Sequence, residues 1–360
     1  MAPPRLAAPP RKSTGWKIAA LILAALLALS LFSNLSHLFH SLVVSSHGMS
    51  RTSGPRLEES ILENNDSDHK IAVVSVEGII SSDMFDRGNY SMVDYIKDQL
   101  KVAERDDRVK AVVLKVNSPG GEVLASDDIY NAIAKFQTNS GKPVVASMGS
   151  LAASGGYYVS APCRWIVANE MTITGSIGVI LHSFNYRGLM DKIGLRPEVY
   201  KSGKYKDMLS GDKKDSDITA EEREMVQNLI NETFGQFTNV VARGREQASQ
   251  KNKNNSESKG RTLSGKWLDY ADGRVLSGRE AFDLGFVDEL GTFDAAVKRA
   301  QKLAKISNAN LIEYQQMFDL SNLFRLFGKS EATRIKVDLG LDTPRLKAGQ
   351  LYFLSPAFVH

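Results

Sequence analysis

Residues 111–147 read AVVLKVNSPGGEVLASDDIYNAIAKFQTNSGKPVVAS. The first six, Ala111–Val116, form a short apolar run rich in β-branched side chains, the composition of a buried strand. Gly120 and Gly121 punctuate its end. From Ser126 to Lys135 the spacing predicts a helix, with Ser126 as its cap and Asp127 and Asp128 in its first turn. Pro143–Ser147 is again a strand-like run. Strand, helix, strand in that order is a crossover, and it argues for a mostly parallel sheet with helices packed on it.

The alternation continues outward in both directions. Ile71–Val76 predicts a strand and Ser91–Glu104 a helix; Trp165–Ala168 and Ile177–Leu181 predict short strands. Ile218–Gln247 predicts a long helix, opening with Thr219 and Glu222 at the spacing of a capping box. Residues 248–261 are polar and predict a solvent loop, and Trp267–Leu303 returns to helix and turn. Residues 305–360 hold apolar pieces without a period, and no internal repeat is visible. The fold class is therefore α/β.

Composition narrows the function. With 42% hydrophobic and 24% charged residues in 360, the chain is neither disordered nor a coiled-coil rod. It has room for one large domain with appendages or for two modest ones. The net charge of +4 equals what Arg5, Arg11, Lys12 and Lys17 contribute, leaving 41 basic against 41 acidic residues afterwards. A neutral body gives no support for nucleic-acid binding. Cys163 is the one cysteine, so there is neither an internal disulfide nor a CxxC metal cluster, and it reads as a small buried residue. Of six histidines only His182 lies within the body, so a Ser-His-Asp triad would have to use it. At the end of an apolar run, it reads better as a strand-end residue.

Ile18–Phe32 is apolar apart from Ser30 and follows the basic leader. Fifteen residues fall short of the roughly 20 a spanning helix needs. A cleaved signal peptide shares this pattern. An uncleaved anchor would continue through Leu38–Val44, and that is the reading adopted. Either way the leader stays in the cytoplasm and the body lies beyond the membrane. The expected organisation is a leader over 1–17, an anchor over 18–44, a tether over 45–69, a catalytic domain over 70–305 and an extension over 306–360.

Three segments can carry chemistry. In Asn117-Ser118-Pro119-Gly120-Gly121, glycines at a strand's end expose N–H groups that could hold an oxyanion, or merely form a tight turn. In Gly149–Tyr158, Ser154 stands among small residues where a helix begins, and the Gly155 N–H is a candidate second donor. The same smallness would serve close helix–sheet packing. In Lys201–Met208, Lys206 could act as a general base if desolvation lowered its pKa from about 10.4, for which Met208 and Leu209 would suit. A serine hydrolase poor in histidine needs such a base.

NSPGG at 117–121, MGSLAASGGYYVSAP at 148–162, TGSIGVI at 174–180, KSGKYKDMLS at 201–210 and GRVLSGREAFDLGFVDELG at 273–291 stand in order. With these the chain resembles the short, single-domain form of the bacterial signal peptide peptidase A family, Ser-Lys proteases related in fold to Clp protease and the crotonases. The resemblance covers residues 70–305 and the anchor. It implies a crotonase-like ββα spiral, with Ser154 as nucleophile, Lys206 as general base, Ser176 hydrogen-bonding the lysine, and Gly121 and Gly155 as oxyanion donors. It implies no metal, nucleotide or organic cofactor, peptide substrates left from signal-peptide cleavage, contact with lipid through the N-terminal helix, and a homo-oligomeric ring or dome. Neighbouring subunits can share a site in such assemblies. The expected location is the bacterial cytoplasmic membrane, single-pass, with the catalytic domain on the periplasmic side. Two rivals remain: a crotonase-type acyl-CoA enzyme, which would need an acidic catalytic residue and a cytosolic setting, and a catalytically silent membrane scaffold.

Overall fold

The computed structural model describes residues 57–83, 91–253, 260–316 and 351–354, with Leu23, Leu27 and Ser30 as single helical positions. The rest of the expected anchor, 18–44, lies outside the described residues. Among the described residues no helix is long and apolar enough to cross a membrane. The chain divides into two units between Gly54 and Pro55.

The quoted stretch folds as its alternation demands. Strand β3 (Val109–Ser118) is followed by a short strand β4 (Gly120–Glu122), helix α2 (Val123–Ser140) and strand β5 (Val144–Ala152). Strand β2 (Lys70–Glu77) and helix α1 (Met92–Arg105) precede them, and β2, β3 and β5 pair in parallel. Strand β6 (Trp165–Ala168) pairs with β5, and β10 (Glu289–Leu290) with β6, both in parallel. On the other flank β11 (Asn310–Gln316) runs parallel to β2, and β1 (Leu57–Glu63) closes that edge antiparallel to β11.

Both faces of the sheet's centre are covered, which is why β2, β3 and β5 are largely apolar rather than alternating. Val112, Leu114 and Val116 of β3 pack with Ile96 of α1 and Ile129 and Ile133 of α2. Ala111 and Val113 face the opposite way, with Ile71 and Val145, onto Ala296 and Ala300 of helix α7 (Phe293–Ala304). One strand thus supplies both cores through its two-residue period.

Three expectations need correction. Helix α2 begins at Val123, three residues before Ser126, and Ser126 is no cap: its Oγ donates to Glu122 O at 2.8 Å inside the first turn. The chain enters the helix straight from β4, which leaves no loop to cap. The polar stretch 57–63, expected as irregular tether, is β1, because its backbone pairs with β11 whatever its side chains. The unassigned C-terminal stretch supplies β11 and, at Leu351–Leu354, a strand β12.

The long helix is α5 (Ala220–Asn252), with the capping box of Thr219 and Glu222 formed as expected. It outruns the expected solvent loop to Asn252, which is buried and donates to Arg164 O at 3.0 Å. Arg245 of α5 pairs with Asp288, both wholly buried, and Asp288 also accepts from Ile166 N–H at 2.8 Å. Losing one partner of such a pair costs about 3–5 kcal/mol, because a charge is left bare. This pair locks α5 against β6.

Candidate active site

The site forms where β3 and β5 end. After β5 the Ala153 N–H donates to Ser118 O (3.1 Å), and the Ser154 N–H donates to Gly175 O (2.8 Å). Ser154 is held at φ 54° and ψ −117°, and a six-residue helix α3 (Gly155–Ser160) starts immediately after it. A non-glycine residue at such angles costs on the order of 1–3 kcal/mol and persists only where its surroundings impose it. Here the two flanking hydrogen bonds and the α3 turn, closed by Tyr158 N–H to Ser154 O at 2.9 Å, impose it. The Ser154 Oγ is buried and has no hydrogen-bond partner among the described residues.

The glycine segment packs directly against this turn. A Cβ on Gly155 would lie 3.0 Å from the Gly120 Cα and 3.1 Å from the Gly121 N. A Cβ on Gly121 would lie 1.9 Å from Ile80 O, so only glycine fits. Ile80 takes one edge of β4: its N–H donates to Gly120 O (2.9 Å) and its carbonyl accepts from Glu122 N–H (2.8 Å). Glu122 is buried and accepts from Ser81 Oγ (3.0 Å), Ser82 N–H (3.0 Å) and Ser82 Oγ (2.5 Å). The opposite edge of β4 is filled by β12, antiparallel, with Phe353 opposite Gly121. A Cβ on Gly120 would lie 2.0 Å from Phe353 O and 2.7 Å from the Gly155 N, so the Phe353 carbonyl packs directly against Gly120.

Ser176 follows Gly175, the acceptor of the Ser154 N–H, so these serines lie on adjoining backbone. Ser176 is buried at φ 49°, with its N–H on Arg274 O at 2.7 Å. Ser154, Gly121, Gly155 and Ser176 thus come together. Lys206 does not join them: its side chain is exposed, against the expectation of partial burial beside Met208 and Leu209, and Ser154 Oγ accepts no bond from it. His182 is exposed just after strand β8 (Ile180–Leu181). Cys163 is buried, and burial pushes its thiol up to about 12.

Sequence reading missed two contributors. Asn117 accepts from Leu151 N–H (3.2 Å), holding the end of β5 to that of β3; its place in NSPGG was the available signal. The strand β12 bridges β4 and β8 at long sequence distance, and nothing local in Leu351–Leu354 foretells it.

The model of peptidase family S49 matches residues 136–307 and that of Clp protease matches 77–172. A signal peptide peptidase SppA homologue from Enterococcus faecium is 37% identical over 263 residues, 72% of this chain and 71% of its own. The protease slr0021 of Synechocystis sp. is 37% identical over 274 residues, 76% of this chain and 88% of its own. Protease 4 of Haemophilus influenzae is 37% identical over 243 residues, 67% of this chain and 36% of its own length. With a mixed α/β architecture consistent with the Clp-protease-like fold, the chain belongs to peptidase family S49 and is a serine-type peptidase.

Proposed function

We propose that the protein is a membrane-anchored endopeptidase that degrades signal-peptide remnants and other membrane-proximal peptides through a Ser-Lys dyad. The observation that carries this reading is the buried, strained and unpartnered Ser154 Oγ beside the Gly121 and Gly155 backbone, with an extended segment already lying along β4. Neutral Lys206 Nζ takes the Ser154 hydroxyl proton as Oγ attacks the scissile carbonyl. The Gly121 and Gly155 N–H groups hold the oxyanion, usually the largest electrostatic contribution in acyl transfer. The lysine ammonium protonates the departing amine, and water deprotonated by the same lysine hydrolyses the acyl-enzyme. Ser176 orients the amine.

Lys206 reaches Ser154 from a second copy of the chain. Its exposure, and the exposure of Phe184, Leu189, Ile193 and Tyr200 in the preceding segment, support an interface there that completes the site within a ring. The basic leader and the apolar run over 18–32 support an anchor with the catalytic unit on the periplasmic side.

The test is hydrolysis of fluorogenic peptides by wild type, Ser154→Ala and Lys206→Ala in detergent. Both variants are expected inactive yet assembled. Co-expression of the two on separate tags, followed by tandem purification, is expected to restore activity at sites that draw one residue from each chain. Full activity in Ser154→Ala ends the proposal.

A further inference from the structure

The segment that carries Lys206 is fastened to the start of α5 by charge. Glu222 Oε2 accepts the Thr219 N–H (3.0 Å) in the capping box, while its Oε1 lies 2.6 Å from Lys213 Nζ. Lys213 Nζ is 3.6 Å from Asp207 Oδ1. Asp207 takes Lys201 on both oxygens, at 2.8 Å each. In parallel, Glu221 accepts from Lys204 Nζ and Tyr205 OH, both at 2.7 Å. Tyr205 and Asp207, the two neighbours of Lys206, are therefore both tied to one helix end. Carboxylates in a first helical turn are favoured there by the unsatisfied N–H groups.

The pairing has a chemical consequence. A carboxylate bonded to a catalytic lysine would favour its charged form and oppose its action as a base. Each carboxylate of this clamp is engaged elsewhere: Asp207 with Lys201 and Lys213, Glu222 with Lys213, Glu221 with Lys204 and Tyr205. Lys206 has no carboxylate within ion-pair distance among the described residues. The Asp207–Lys213–Glu222 arm of the clamp is largely buried, with Glu222 only 3% exposed, while the Glu221–Lys204 arm faces solvent.

We propose that Asp207, backed by Lys213 and Glu222, is the positioning residue for Lys206: it fixes the backbone on which the amine is presented and leaves that amine without a competing carboxylate. This rests on the reading of Lys206 as the base. The amine must reach the serine within a few tenths of an ångström, and a misplacement near 1 Å can cost about 100-fold in rate. Loss of one anchor, Asp207→Asn, is expected to cost on the order of 10-fold in kcat with KM nearly unchanged. Asp207→Glu is expected to recover most of that loss.

The deciding experiment places Asp207→Asn in either chain of the co-expressed pair of Ser154→Ala and Lys206→Ala. In the Ser154→Ala chain, which supplies Lys206, it is expected to lower kcat; in the chain lacking Lys206 it has nothing to position. Equal losses from both placements, no loss from either, or a change in KM alone would overturn the proposal. If the parental pair stays inactive, sharing between chains fails; Asp207→Asn and Asp207→Glu are then judged by kcat against KM in the uniform assembly. If Lys206→Ala keeps its activity, the base lies elsewhere and the Asp207 proposal falls with that reading.

Discussion

Phe353→Ala separates two roles for strand β12. The Phe353 ring is wholly buried, 4.9 Å from the Tyr158 ring and 4.6 Å from that of Phe237. Burying such a side chain stabilises by about 1.5–3 kcal/mol, and each ring contact adds about 0.5–1.5 kcal/mol. Removing the ring thus withdraws about 2.5–6 kcal/mol from the docked strand. Against this, ordering each residue of Leu351–Leu354 costs about 1–2 kcal/mol. Tyr352 and Leu354 are buried too, and the ring is the largest single contribution to holding the segment, so its loss loosens the strand. Strand β12 occupies an edge of β4 and the Phe353 carbonyl packs against Gly120; a peptide extended along that edge would have to displace it. The expected outcome is a KM for fluorogenic peptides lower by about 10-fold for each 1.4 kcal/mol of docking free energy lost, with kcat unchanged. Initial-rate kinetics on wild type and variant, alongside their melting temperatures, give the answer. An unchanged or raised KM together with a drop in melting temperature and kcat would refute the reasoning and make Phe353 part of the permanent core.

Three further outcomes follow from the same geometry. Ser154→Gly is expected to be inactive yet more stable than Ser154→Ala by about 1 kcal/mol, since glycine relieves the positive φ; urea denaturation compares them. The bond from Lys213, then that from the Thr219 amide, lowers the Glu222 carboxyl from its ordinary 4.5. Its contribution is complete above that value and lost as pH falls through the lower folded one. The melting-temperature gap between wild type and Glu222→Gln should therefore be full at neutral pH and close in acid. Cys163, with its thiol pushed up to about 12 by burial, should resist thiol reagents in the native protein at pH 8 and react only after denaturation.

The legible parts of the fold were those with a local cause. Ala111–Val116 announced a strand because burial on both faces leaves five of its six positions apolar, Lys115 alone reaching solvent, and Thr219 with Glu222 announced a helix start because the capping box is written three residues apart. The illegible parts depend on distant chain. Leu57–Glu63 is a strand only because Asn310–Gln316 offers it an edge, and its polar side chains carry no such message. Ser126 looked like a cap because Asp127 and Asp128 follow it, yet Ile80 pairs β4 in a way that feeds the chain into α2 without a loop. In the candidate site the small residues around Ser154 and Gly121 were conspicuous. What makes them necessary was not, since the Ile80 carbonyl lies some forty residues away in sequence.

The two halves of the proposed dyad rest on different physics. Ser154 stands at the end of the buried central strands β3 and β5, its backbone set by hydrogen bonds to Gly175 and from Tyr158. That scaffold can carry strain because apolar burial around it is extensive. Lys206 stands on a segment that buries little and is held by ion pairs to the first turn of α5. The parallel pair Lys204–Glu221 is exposed on both sides, and salt weakens such a pair far more than an apolar core. The serine should therefore keep its geometry over a wide range of ionic strength while the lysine's presentation loosens. Activity that falls with added salt, with the native fold intact by circular dichroism and assembly intact by gel filtration, would place the weakness on the lysine side. Activity indifferent to salt up to 1 M would mean that contacts with the neighbouring subunit, rather than the charges of α5, hold Lys206 in place.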